Sequence, residues 1–250
     1  MRDLIRENRE FLKDTLRLKY DFRQTDQNRG AEAPPIQKPL KDGQQIIEFS
    51  KEKLYEPSGN KDLVSVIRCR ESKRKYRLES LTLDELSFLL WATQGLRSSI
   101  HNGHALRVVP SAGCRHSFET YIAVIDVSGL KQGLYRYLPI EHAIVLEREV
   151  EDLPEKVAQA TLGQSFAGEA GAVFIWACIP YRMEWRYGPA AHRAIAFDAG
   201  HVCQNLYLAV QAVYAGTCAI AAYNQSLMDE LIGADGEDEF TIYLAPVGKV

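Results

Sequence analysis

The chain has no unbroken apolar run long enough to cross a bilayer. Its longest apolar stretch, Ala194 to Ala215, is interrupted by Asp198, His201, Gln204, Asn205 and Gln211, groups costly in lipid but acceptable in a protein core. It has no excess of one charge: 30 Lys and Arg face 33 Asp and Glu, a formal net charge of −3, so neither nucleic acid nor an anionic membrane is an expected partner. It has no Cys-x-x-Cys pair. The 5 cysteines, at positions 69, 114, 178, 203 and 218, form an odd, scattered set that argues against a disulfide framework or structural zinc and for a reducing compartment. There is no G-x-G-x-x-G fingerprint, which argues against a Rossmann domain. Met1 to Lys19 alternates charged and apolar residues without the apolar core of a secretion signal, so a cytoplasmic location is expected. His101 and His104 have a metal-compatible spacing but no third ligand nearby, so they read as surface-loop residues and no metal is expected.

What is present belongs to an ordinary globular protein, with 46% hydrophobic and 25% charged residues among 250. Residues 1–53 read as a short helix with Leu4, Ile5, Phe11, Leu12, Leu16 and Leu18 on one side, followed by an extended arm, Gln24 to Leu40, punctuated by Gly30, Pro34, Pro35 and Pro39. The compact domain is expected over 54–250. Leu63 to Arg70 reads as a helix, and Thr82 with Glu85 makes a capping box opening a helix from Leu83 to Thr93, which Gly95 can end. Thr120 to Val127 reads as a strand, Gly133 to Tyr137 and Ala143 to Leu146 as a hairpin, and Leu153 to Leu162 as a helix. Ala172 to Ile179 reads as a strand buried on both faces, and Thr241 to Leu244 as a last strand. The stretch from Ala194 is apolar around most of its circumference, which predicts a helix buried in a large core or between subunits. Mixed strands and helices in this order give an α+β layer.

One stretch carries chemistry on its face. Arg70 to Tyr76 reads RESKRKY, with Ser72 between Arg70 and Arg74 at every-second-residue spacing. Guanidinium forks and a hydroxyl suit phosphate oxygens, so the run is either an anion clamp or a solvated basic turn. Two further pieces favour the clamp: PSAGCRHSFE from Pro110 to Glu119, and the ending PVGKV, which carries Lys249.

Together these resemble the FMN-dependent nitroreductase superfamily, in particular its SagB/ThcOx-type dehydrogenase branch. The likeness runs from NREFLKDTLRLKYDF through LLWATQGL, GLYRY, RYGPAAHR and DAGHVCQNLYLA to the terminal PVGK. It implies a nitroreductase-like α+β fold: a central, mostly antiparallel sheet flanked by helices, with a buried dimer-core helix, in a homodimer. It implies that Arg70, Ser72, Arg74 and Lys249 hold the ribityl phosphate of FMN. Pro110, Ser111, Ala112 and Gly113 would lie against the flavin ring, and Ile220, Ala221 and Ala222 would pass backbone amides by N5, although the family often has glycine at Ala221.

The resemblance also implies a catalytic pair. Azoline-oxidising members carry Lys-Tyr before a Gly, where this chain has Arg186, Tyr187 and Gly188. Tyr187 keeps a phenol, but Arg186 cannot act as a base because a guanidinium stays protonated. Either residue can instead be structural, Arg186 pairing with a carboxylate and Tyr187 filling a wall. His201, His116 and Glu119 match the family and are read as structural. The expected activity is hydride transfer through flavin N5 to or from a small organic or peptide-derived substrate, with NAD(P)H as a candidate donor. Azoline oxidation in peptide tailoring and a non-redox flavin-fold binding protein are the alternatives.

Overall fold

The computed structural model describes residues 1–50, 59, 61–97, 100 and 105–250. His101, His104 and the boundary expected between 53 and 54 lie outside them.

Seven strands form one sheet in the order β1-β4-β3-β2-β5-β7-β6, every neighbouring pair antiparallel. They are β1 (Ile46–Glu48), β2 (Phe118–Val124), β3 (Gly133–Leu138), β4 (Ala143–Arg148), β5 (Ala172–Cys178), β6 (Ala215–Thr217) and β7 (Phe240–Lys249). The α-helices are α1 (Arg2–Glu10), α2 (Leu63–Cys69), α3 (Leu83–Gln94), α4 (Leu153–Ala160), α5 (Tyr181–Tyr187), α6 (Ala191–Ala209) and α7 (Gln225–Ile232).

All seven residues of β5 are buried, and the pleat sends alternate side chains to opposite layers. Phe174 and Trp176 pack with Leu86, Leu89 and Leu90 of α3 and Ile195, Val202 and Leu206 of α6. Val173 and Ile175 pack with Val157 of α4 and Met228 and Leu231 of α7. Two covered faces explain why an antiparallel strand reads as a continuous apolar run.

Local chemistry sets the element ends. The Thr82–Glu85 capping box forms as expected. β2 starts two residues earlier than expected, where Phe118 pairs with Cys178, and stops short of Val127 because the amides of Ile125 and Asp126 both turn to the Gly171 carbonyl. α4 ends at Ala160, before the left-handed residues Leu162 and Gly163. β7 is far longer than Thr241–Leu244, since its interior Pro246 gives up only a donor while its carbonyl still accepts from Thr217 Oγ1 at 2.8 Å.

The helix expected to be buried around most of its circumference is buried on one side only in the single chain. Ile195, Ala199, Val202 and Leu206 of α6 face the sheet, whereas Ala196, Phe197, Gly200, His201 and Gln204 are exposed. Likewise α1 buries no residue, and Leu4, Ile5, Phe11 and Leu12 are all exposed.

The Gln24–Leu40 stretch lies on the domain through its backbone. Buried Arg136 donates to the carbonyls of Lys38 and Pro39 at 3.0 and 3.1 Å, Arg107 to that of Ile36 at 2.9 Å, and Trp185 Nε1 to that of Ala31 at 3.0 Å. An extended segment outside any ladder must have its polar groups satisfied this way. Glu119, 2% exposed, completes the anchor: it takes the Lys38 amide at 2.8 Å and pairs with Arg136 and Arg182, a structural role.

Candidate active site

The clamp segment leaves the C-terminus of α2 and runs along the β6–β7 corner. The Lys73 amide bonds the Thr217 carbonyl at 2.9 Å, and the Arg77 amide bonds that of Lys249 at 2.9 Å. Ser72 Oγ lies 2.9 Å from the Tyr207 hydroxyl of α6, and the same hydroxyl accepts from the Ala219 amide at 2.9 Å. Arg70 stacks over the Tyr207 ring at 5.4 Å and Arg74 over Phe166 at 5.9 Å. Among the described residues neither guanidinium has a carboxylate within 4.0 Å; Arg74 is exposed and Arg70 half-buried. Lys73, by contrast, pairs with Glu71.

Lys249 does not join them. Its ammonium is buried, donating to Glu85 Oε1 at 2.6 Å and to the Val213 carbonyl at 2.9 Å.

The Pro110–Gly113 turn is held from within and from α6. Ser111 Oγ accepts the His116 amide at 2.9 Å, and the Ala112 amide donates to Asp198 Oδ1 at 3.3 Å. Asp198 is 4% exposed, its other oxygen has no partner, and burial raises its pKa above the usual carboxylate range. His116 is buried too, which drives its pKa down to about 3, with Arg107 and Arg115 adding to the effect; it is a neutral, structural histidine. His201 is exposed, with Nδ1 3.9 Å from Asp198. A cavity of about 310 Å³ adjoins the turn, lined by Arg97, Arg107, Pro110, Ser111, Cys114 and His116.

The same turn meets Arg186 and Tyr187 at the end of α5. Gly113 has φ +58°, and a Cβ built there would lie 2.6 Å from Arg186 Nε and 2.6 Å from the Tyr187 hydroxyl. The close approach therefore requires glycine. Arg186 pairs with no carboxylate among the described residues; its Nη1 donates to Gln27 Oε1 of the arm at 3.3 Å. Tyr20, just before the arm, packs where a Cβ on Gly188 would stand.

Ile220 is tied to β7 through reciprocal bonds with Leu244, 2.8 and 3.3 Å, whereas Ala221 and Ala222 are exposed, with Gln164 donating to the Ala222 carbonyl at 3.0 Å. The structure thus makes two groupings. Arg70 and Ser72 gather with the loop before Ala221 around Tyr207, with Arg74 against Phe166; Pro110–Gly113 gathers with Arg186 and Tyr187. The anchors Asp198 and Tyr207 are nine residues apart on α6, about 13.5 Å along its axis and half a turn around it. Sequence reasoning missed Tyr207, Asp198, Phe166 and Gln27. An aspartate on the sheet-facing side of a long helix, and a tyrosine near its end, were the signal available for the first two.

The nitroreductase family model matches residues 67–249. A protein of Methanocaldococcus jannaschii named as a nitroreductase is 34% identical over 187 residues, 75% of this chain and 90% of that one. The trifolitoxin-processing protein of Rhizobium leguminosarum bv. trifolii is 27% identical over 165 residues, 62% of this chain and 44% of that protein. Among solved structures, a nitroreductase-class protein of Ralstonia eutropha superposes with a TM-score of 0.67 at 23% identity, covering 88% of this chain and 98% of that one. One from Exiguobacterium sibiricum, solved in complex with FMN, gives 0.56 at 15% identity, covering 78% and 90%. The match over most of its length and the α+β antiparallel architecture agree: this chain belongs to the nitroreductase family.

Proposed function

We propose that the chain is an FMN-dependent oxidoreductase working as a homodimer in the cytoplasm. It would move hydride to or from a small organic or peptide-derived substrate, with NAD(P)H as the candidate donor. The observation that carries this reading is the pair of guanidiniums of Arg70 and Arg74, without a carboxylate partner among the described residues, on either side of Ser72, whose hydroxyl is joined through Tyr207 to the Ala219 amide. Two unpaired cations suit a phosphate dianion, and the exposed, small Ala221 and Ala222 leave the backbone beside them open to a planar ring. The residues therefore fit FMN, which when bound supplies an N5 able to accept and give hydride.

The chain's own groups then divide the remaining work. Arg70 and Arg74 hold the phosphate, with Lys249 acting indirectly by fixing β7. Gly113 lets the Pro110–Gly113 turn approach closely, and Tyr187 presents its hydroxyl beside that turn, where it can hold or deliver a proton. The separation of the two groupings along α6 and the exposed Ala196, Phe197 and Gly200 of that helix support a site completed by a second copy.

The 27% identity to a trifolitoxin-processing protein favours a second reading, azoline oxidation in peptide tailoring by a SagB-type enzyme, with Arg186 at the position of the lysine. Anaerobic titration of the flavin-loaded protein with NADH and NADPH, followed by nitroaromatic, quinone and azoline-peptide acceptors, separates the two. Protein that takes up no flavin would overturn both and leave a non-redox binding protein.

A further inference from the structure

Cationic side chains crowd the contact between the Pro110–Gly113 turn and the end of α5 far beyond what the carboxylates there can neutralise. Arg186 Nε touches the Gly113 position, and its only polar partner among the described residues is the neutral Gln27. Arg115, two residues beyond Gly113, is 3% exposed and stacks at 4.8 Å over Trp185, the neighbour of Arg186. No acceptor for its guanidinium exists among the described residues, and its buried Nε is unsatisfied. Burial first, then the charge of Arg186, draws its pKa below the ordinary arginine range, so the two cations feel each other. Arg182 and Arg107 add to the same field. Of the nearby carboxylates, Glu119 is already engaged by Arg182 and Arg136, and Glu184 of α5 by His192 at 2.7 Å. Asp198 on the other flank of the turn has its pKa raised by burial, and its Oδ1 is taken by the Ala112 amide at 3.3 Å.

Buried like charges without counterions are costly unless an anion joins them. We propose that the substrate of this site is an organic acid whose carboxylate docks on Arg186, with Arg115 behind it, and whose reacting end reaches the Gly113–Tyr187 side of the turn. This rests on the oxidoreductase reading for the identity of the site, but not for the binding of the acid. Arginine rather than lysine suits the task, because its fork grips a carboxylate in the plane of both oxygens and stays charged at any pH.

The test uses flavin-loaded protein, so that the Arg70–Arg74 cations are already occupied. Isothermal titration with benzoate and with benzamide compares an acid with its neutral isostere. Reduction of para-nitrobenzoate and para-nitrobenzamide gives the same comparison as a ratio of kcat/KM. The expected result is a preference for the acid of about tenfold or more, the scale of one desolvated charge-assisted bond. That preference should collapse in Arg186→Gln and largely survive in Arg186→Lys. Equal binding of benzoate and benzamide to the parent overturns the proposal without recourse to any variant. It is overturned equally if Arg186→Gln raises KM for NADH or NADPH while the acid-to-amide ratio stays put, since the anion then belongs to the nucleotide. A protein that shows the benzoate preference yet reduces nothing would support the acid site while sinking the redox reading.

Discussion

One carboxylate, that of Glu85, serves both the first turn of α3 and the end of the chain: Oε2 accepts the Thr82 amide at 2.9 Å and Oε1 accepts the Lys249 ammonium at 2.6 Å. Removing the ammonium leaves Glu85, 7% exposed, without its counter-charge. Lys249→Met should therefore destabilise the fold by about 3 to 5 kcal/mol, and the double change with Glu85→Gln should recover part of that. Urea midpoints for the two variants and the parent measure it; an unmoved midpoint in Lys249→Met would remove the pair from the fold.

Arg74 should behave in the opposite way. Arg74 is exposed and among the described residues its guanidinium meets the Phe166 ring alone, so Arg74→Ala should leave the melting temperature of flavin-free protein within a degree or so of the parent's while weakening FMN by about tenfold or more. Fluorescence titration with FMN reads the affinity. Undiminished binding would send Arg74 back to being a solvated surface charge.

His116 makes stability depend on pH. Its pKa is about 3 in the folded chain, against the ordinary 6.5 in the unfolded one. Between those values the unfolded state binds more protons, so the contribution is complete above about 6.5 and is lost progressively as pH falls towards 3. His116→Gln should flatten the slope of unfolding free energy against pH across that window. Parallel slopes in parent and variant would mean that the ring is hydrated and titrates normally.

Gly200 offers a clean probe of self-association, because a Cβ there would meet nothing within 4 Å in the single chain. Gly200→Arg should fold normally but appear as a monomer in size-exclusion chromatography with light scattering, and it should release flavin. A flavin-loaded monomeric parent would sink the dimer outright.

Much of the architecture was legible because it depends on local patterns: the capping box at Thr82, the doubly buried run at β5 and the paired apolar runs of the β3–β4 hairpin all read directly. What was not legible depends on which way a side chain points once strands are paired. A Gly-Lys ending beside a clamp suggests a third phosphate ligand, yet the pleat of β7 turns Lys249 inward to Glu85. The length of β7 was hidden by Pro246, whose missing donor is harmless at that place in the ladder. The contact of Arg186 with Gln27 joins residues far apart in sequence, and nothing local announces it. The run from Ala194 suggests a helix apolar around most of its circumference, yet α6 is buried only on the side facing the sheet, and His192, His201 and Gln204 are exposed on the other.

The place of β7 in the sheet has a bearing on how the protein can be made. Residues 240–249 lie between β5 and β6, so seven fully buried β5 residues keep one open hydrogen-bonding edge, and β6 keeps no strand partner, until that segment arrives. Pairings of such long sequence separation form slowly, and open apolar edges invite other chains. During synthesis at about 5 to 20 residues per second the preceding 239 residues must wait in that state, and any polypeptide broken off before Phe240 would carry the exposed edge permanently. Deletion of residues 240–249 should therefore give aggregates rather than a slightly shortened folded protein.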